Sequence, residues 1–459
     1  MEKSTLLLLI ILLGIASYLW SARTAKTVAV LSGKKLHSLP GFYGYYTSLW
    51  CVVPSIFVMV LWTALEGSAI TSLVLHSLPS EMTSSNPEEI SLIVNDIKNV
   101  VSGSRTTEVA PEIKAAANLY SVLGERSNLL LTLLTLSLSI LGVLYARSRI
   151  APEFQARNHV EKALTMGLIG CALVAILTTI GIVLSVLLES IRFFQMVPIT
   201  DFLFGLKWSP QIAMRADQEG SSGAFGAIPL ITGTLLISAV AMVVAVPIGL
   251  LSAIYLSEYA SLQFRSITKP LIEILAGIPT VVYGFFAALV VAPFIRDLGA
   301  NIGLEISSES ALAAGLVMGI MIIPFVSSLS DDFINAVPQS LRDGAYALGA
   351  TQSETIRQVI IPAALPGIVG GILLAISRAI GETMIVVMAA GLSANLTANP
   401  LEAVTTVTTQ IVTLLVGDQE FDSPKTLAAF ALGLVLFLLT LALNIIALRI
   451  VRKYREQYE

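Results

Sequence analysis

Within the stretch Ala375 to Met388, AISRAIGETMIVVM, Arg378 and Glu382 stand near the middle of an apolar run that extends from about Gly367 to Gly391. A charged side chain at the centre of a membrane helix costs roughly 2.5 to 3.5 kcal/mol, so a run that carries two charges must gain something from them. At positions i and i+4 of one helix the two would share a face and neutralise each other. One reading is a structural ion pair between helices. The other is a polar stripe, with the Thr383 hydroxyl beside it, that lines a path for a charged solute, and the arginine then favours an anion.

A second stretch, RDGAYALGATQSETIRQVIIPAALPG from Arg342, has features suited to docking. Its acid-small-small triplet Asp343-Gly344-Ala345 is followed by Gly349 and then by Pro362. Leu341, Ala345 and Leu348 fall on one face of a helix, Gly349 permits a sharp turn, and Pro362 is suited to begin the next span. An ordinary amphipathic loop is the plainer alternative.

The elements that position these residues are membrane helices. Of 459 residues 55% are hydrophobic and only 13% charged, with a mean hydropathy of +0.83; soluble domains have about 25% charged residues. Nine apolar runs are long enough to cross about 30 Å of hydrocarbon. They centre on 5–20, 45–65, 129–145, 164–188, 228–256, 271–295, 311–329, 367–391 and 426–449. Arg23, Lys26, Lys34 and Lys35, then Arg147, Arg149, Arg157 and Lys162, and finally Arg449, Arg452, Lys453 and Arg455 mark the cytoplasmic segments. The N-terminus is therefore expected outside and the C-terminus inside. An acidic segment, Glu66 to Asn128, falls outside; Ile90, Ile93, Val94, Ile97 and Val101 predict an amphipathic helix in it, with a disordered linker as the alternative. A second outer segment runs through Trp208 to a flexible Glu219–Gly223. Glu273, three residues after Pro270, is expected to cap a helix. Cys51 and Cys171 lie in apolar runs and suggest neither a disulfide nor a metal site. No G-x-x-x-x-G-K-[ST] phosphate loop occurs, so the chain is not expected to hydrolyse ATP itself.

The Asp343 to Pro362 pattern resembles the EAA loop of bacterial ABC importer permeases. Together with Gly277-Ile-Pro-Thr-Val-Val-Tyr-Gly284, Ile322-Ile-Pro-Phe325 and Ser377-Arg-Ala-Ile-Gly-Glu-Thr-Met384, it is similar to the phosphate-specific permeases, and among them to the PstC subunits. Asp343-Gly344 departs from the usual Glu-Ala or Glu-Ser. The resemblance covers about Leu164 to Tyr454. It implies an all-α polytopic protein in which a six-helix type I permease core, residues 161–459 with a coupling loop at 338–365, follows an accessory region, residues 1–160, of three helices and an extracytoplasmic insert at 66–128. It also implies a PstA-like second permease, a PstB-like ATPase dimer that binds the ATP and Mg, and a PstS-like phosphate-binding protein in a bacterial inner membrane, with no cofactor in this chain and no nucleic acid. Leu341, Asp343, Gly344, Ala345, Leu348, Gly349 and Pro362 would couple to the ATPase. Arg378, Glu382 and Thr383 would line the phosphate path, with Glu382 orienting the arginine during alternating access. Another oxyanion, a secondary anion transporter and a phosphate-sensing membrane protein remain as alternatives.

Overall fold

A computed structural model of the chain describes residues 3–78, 87–102, 110–212, 222–416 and 423–455. Among them, nine helices are long and apolar enough to cross a membrane, as the apolar runs predict. The chain forms two compact units, Met1–Leu177 and Thr178–Glu459.

The first unit is built from α1 (Lys3–Ser32), α2 (Pro40–His76), α3 (Pro87–Val101), α4 (Pro111–Ser148) and the start of α5 (Ala156–Met196). α2 packs against both α1 and α4. In lipid the apolar surfaces of helices have no water to escape, so small and polar side chains hold them together. Ser55 and Ser139 meet at 2.7 Å, and Ser139 also donates to the Cys51 carbonyl at 3.2 Å. Charges stand only towards the helix ends: Lys3 pairs with Glu66, and the Arg147 guanidinium lies 3.9 Å over the Trp20 ring. The amphipathic helix expected in the acidic insert is α3, whose Ile93, Ile97 and Val100 pack on Ile70, Val74 and Ala116 at the extended ends of α2 and α4. Arg23 and Lys26, read from the sequence as loop residues, lie inside α1.

The second unit takes in the rest of α5, the short α6 (Ile199–Phe204) and a two-stranded antiparallel hairpin, β1 (Trp208–Ile212) with β2 (Ser222–Phe225), in which Trp208 opposes Phe225. Of the expected flexible stretch, Glu219 to Ser221 lie outside the described residues. Its core is α10 (Ala311–Asn335) against α7 (Ile228–Tyr259). A methyl group at Gly315 would come within 2.6 Å of Val240, and one at Gly319 within 2.9 Å of the Ala241 carbonyl, so this small-xxx-small pair sets the close approach of the two helices.

Around that pair stand α8 (Leu262–Ala276), α9 (Thr280–Asn301), α11 (Gln339–Ala347), α12 (Gln352–Ile380), α13 (Met384–Ala389), α14 (Val407–Leu415) and α15 (Pro424–Arg455). Single π-helical turns interrupt α7 at Tyr255–Tyr259, α9 at Ala287–Val291 and α12 at Ile356–Ile360.

Two expected spans are redrawn. The run 271–295 is divided at Gly277-Ile-Pro279, because a residue before proline is pushed out of the α region. α8 is instead a separate amphipathic helix that starts at Ser261, whose hydroxyl accepts from the Phe264 amide at 3.3 Å. Pro270 and Glu273 therefore lie inside α8, and Glu273 caps nothing at its start. The run 367–391 is likewise not one helix: α12 begins fifteen residues earlier and ends at Ile380.

Candidate functional site

Arg378 sits in the last turn of α12, and Gly381 takes the C-cap position. Glu382 and Thr383 come after the helix, so the single polar face expected for Arg378 and Glu382 does not form. The Glu382 carboxylate turns forward and accepts from the backbone amides of Met384 at 3.1 Å and Ile385 at 3.5 Å, at the start of α13. Those amides have no partner within their own helix, and a carboxylate there also suits the helix dipole. Among the described residues the Arg378 guanidinium has no ion pair. Its Cζ lies 5.9 Å from the Phe325 ring centroid, and the side chain is exposed in this chain. Phe325 fixes the depth of the site: at 1.5 Å per residue it stands about 21 Å along α10 from Ala311 and about 15 Å from Asn335. The break in α12 is thus near mid-membrane.

Broken backbone at such depth persists only where protein covers it or a cavity accepts it. Here the cover comes from a threonine-rich segment. Thr408 Oγ1 donates to the Glu382 carbonyl at 2.8 Å, the Val407 amide donates to Thr234 Oγ1 at 3.1 Å, and Thr405, Thr406, Thr408 and Thr409 are all buried. Gln410 joins this segment to the hairpin, accepting from Trp208 Nε1 at 2.9 Å and donating to the Leu392 carbonyl at 3.1 Å. Thr383 Oγ1 donates to the Gly381 carbonyl at 3.3 Å. Sequence reasoning passed over the threonines, although the run Thr405-Thr-Val-Thr-Thr-Gln410 is a visible polar interruption between apolar segments.

The coupling stretch forms a helical hairpin. α11 closes at Gly349 in a Schellman turn: φ is +86°, the Gly349 amide donates to the Tyr346 carbonyl at 2.9 Å, and the Ala350 amide donates to Ala345 at 3.1 Å. α12 opens on a capping box between Thr351 and Glu354. The expected apolar face is divided. Ala345 is buried, whereas Leu341 and Leu348 are exposed, Leu348 at 91%, together with Tyr346. Asp343 and Gly344 are on the exposed side, and Asp343 accepts from Gln339 Nε2 at 3.1 Å. Pro362 does not start a helix; it follows the π-turn inside α12, where the disturbed ladder tolerates a residue without an amide hydrogen. The hairpin is attached to α7 by Glu258, which pairs with Arg342. Nearby, Asp331 of α10 accepts from Arg265 at 3.0 and 3.1 Å and from Lys269 at 2.7 Å, and this hydrogen bond raises the Lys269 pKa above its ordinary value.

Residues 245–456 match the family described as "Binding-protein-dependent transport system inner membrane component", and residues 7–178 match a family described as "Phosphate ATP-binding cassette transporter". The probable ABC transporter permease protein YqgH of Bacillus subtilis is 32% identical over 294 residues, which cover 64% of this chain and 91% of the relative. This chain belongs to the ABC transporter permeases. The permease is also 39% identical over 153 residues to the phosphate transport system permease protein PstC of Haemophilus influenzae and 35% identical over 153 residues to that of Mesorhizobium japonicum. Each of those alignments covers 30% of this permease and 49% or 47% of the relative, so the permease spans about half the length of these two. It is a multi-pass membrane component of an ABC transporter.

Proposed function

We propose that this permease carries inorganic phosphate through the cytoplasmic membrane in an ATP-driven importer, and that Arg378 receives the anion. The observation that carries this reading is the state of the charge at the break in α12. Glu382 is engaged with backbone amides, so the Arg378 guanidinium is left with an aromatic ring for company at mid-membrane depth. Guanidinium offers phosphate two parallel hydrogen bonds, which an ammonium does not. The similarity to phosphate permeases in sequence supports phosphate over other oxyanions. Glu382 acts as the cap that keeps α13 in place, Thr383 adds a hydroxyl at the break, and Thr408 holds it from behind.

The exposed Leu341, Tyr346 and Leu348 on the Gly349 hairpin are the surface offered to an ATPase subunit, with Asp343 and Gly344 alongside; Ala345 seats the hairpin on its own chain. ATP and Mg belong to that PstB-like subunit. A PstA-like permease completes the path on the open side of Arg378, and a PstS-like binding protein delivers phosphate on the opposite face. The hairpin and the C-terminus then lie in the cytoplasm and the N-terminus outside. The N-terminal region is an accessory to the path, since the charges of its helices stand at their ends. A secondary transporter would have no use for an exposed apolar hairpin beyond its spans. Uptake of labelled phosphate by proteoliposomes holding the assembled transporter tests the reading: Arg378→Gln should abolish uptake with assembly intact, and normal uptake by that variant would remove it.

A further inference from the structure

We propose that Glu258 is the joint that delivers movement of the Gly349 hairpin to the α7–α10 pair. This positioning role rests on the reading of the hairpin as the ATPase dock. Both limbs of the hairpin end on this one residue. Before the turn, the Arg342 guanidinium of α11 pairs with the Glu258 carboxylate, and its Nη2 donates to the Ile334 carbonyl in the last turn of α10 at 2.8 Å. After the turn, Gln352 Nε2 at the start of α12 donates to the Glu258 backbone carbonyl at 2.6 Å. A hairpin held by one limb could swivel about Gly349. Two attachments to one residue remove that rotation, so that a push on Leu348 becomes a displacement of the helix ends.

The attachment is stiff. The Glu258 and Arg342 side chains are only 7% and 13% exposed, and separating a nearly buried pair leaves two charges without compensation. Glu258 is brought to this position by the π-turn Tyr255–Tyr259, which closes with the Ala260 amide on the Tyr255 carbonyl at 2.9 Å. Its neighbour Ser257 donates to Asn335 Oδ1 at 3.3 Å, which fixes the end of α7 to the end of α10. Further along, Gly315 and Gly319 leave no slack between the two helices. α10 then carries Phe325, the ring beside Arg378. A rigid line of packed groups therefore runs from the hairpin to the break in α12, and Glu258 is its first link.

The test uses the assembled transporter in proteoliposomes and reads ATP hydrolysis stimulated by phosphate-loaded binding protein. Glu258→Gln should keep its ATPase but lose at least tenfold of the stimulation, and the exchanged pair E258R/R342E should recover at least a third of it. A merely structural pair would not separate retained ATPase from lost stimulation. Wild-type stimulation in Glu258→Gln overturns the proposal, as does an exchanged pair that assembles without regaining stimulation. If Glu258→Gln fails to assemble, Gln352→Ala decides: it leaves the buried pair intact and should lower stimulation about threefold with the ATPase bound, and unchanged stimulation overturns the joint. Leu348→Glu tests the dock by itself. If it keeps the ATPase, the docking reading fails; if it loses the ATPase while Glu258→Gln behaves as wild type, only the joint fails.

Discussion

Arg147 and Arg378 occupy matching positions in their helices and opposite positions in the membrane. Each lies in the last turn of a long apolar helix, and each sets its guanidinium against an aromatic ring, Trp20 at 3.9 Å or Phe325 at 5.9 Å. α4 ends within three residues of Arg147, in a basic segment, so that the charge stays in contact with water and headgroups and helps to anchor the helix. α12 ends beside Arg378 because the helix breaks, and the chain continues into more apolar protein. The same local chemistry is an anchor in one place and a binding group in the other. Depth makes the difference, since the cost of an ionised side chain rises steeply towards the bilayer centre.

Four substitutions sharpen or break this comparison. The largest effect is expected from Arg378→Gln, with phosphate uptake falling at least a hundredfold while the complex is still recovered by affinity purification. Gly349→Val should follow. A β-branched residue at φ +86° is strained, and stimulated hydrolysis by the ATPase should fall at least tenfold; an unchanged response would separate the hairpin from coupling. Thr408→Val removes the donor to the Glu382 carbonyl and should reduce uptake about fivefold, the scale of one hydrogen bond. Arg147→Gln should leave uptake within about twofold of wild type and show its effect as a lower thermal midpoint, because an edge cation–π contact is worth only about 0.5–1 kcal/mol. A large loss of uptake with Arg147→Gln would erase the distinction between the two arginines. On the same reasoning, a chain that starts near Arg157 should retain measurable uptake, since every group assigned to the path or to coupling lies after it.

What was legible in the sequence follows the range of the physics involved. Hydropathy locates nine spans because each must be apolar for about 20 residues, and Gly349 announces its turn through backbone sterics alone. The break after Ile380 is invisible to hydropathy, because Met384 to Ala389 are as apolar as the helix they leave; the evidence for it is the Thr405–Gln410 segment, distant in sequence, that packs behind it. Glu273 was misread for a related reason. Pro270 looks like a helix start, yet the cap is Ser261, and the interruption falls later, at Pro279. The pairing of Glu258 with Arg342 spans 84 residues, and no local pattern connects the two. Trp208 reads as an interfacial aromatic, whereas its indole is committed to Gln410.

The π-turn at Ile356–Ile360 gives α12 one residue more than an α-helix would use between the Gly349 hairpin and the membrane. Each residue of an α-helix advances its face by about 100°, so deleting one residue there would restore regular hydrogen bonding and swing Gln352 and the hairpin round the helix axis by about that angle. Local regularity would improve as the hairpin lost its alignment with Glu258. The irregular turn works as an angular setting between two parts of one helix, and this stretch tolerates a change of residue type better than a change of length.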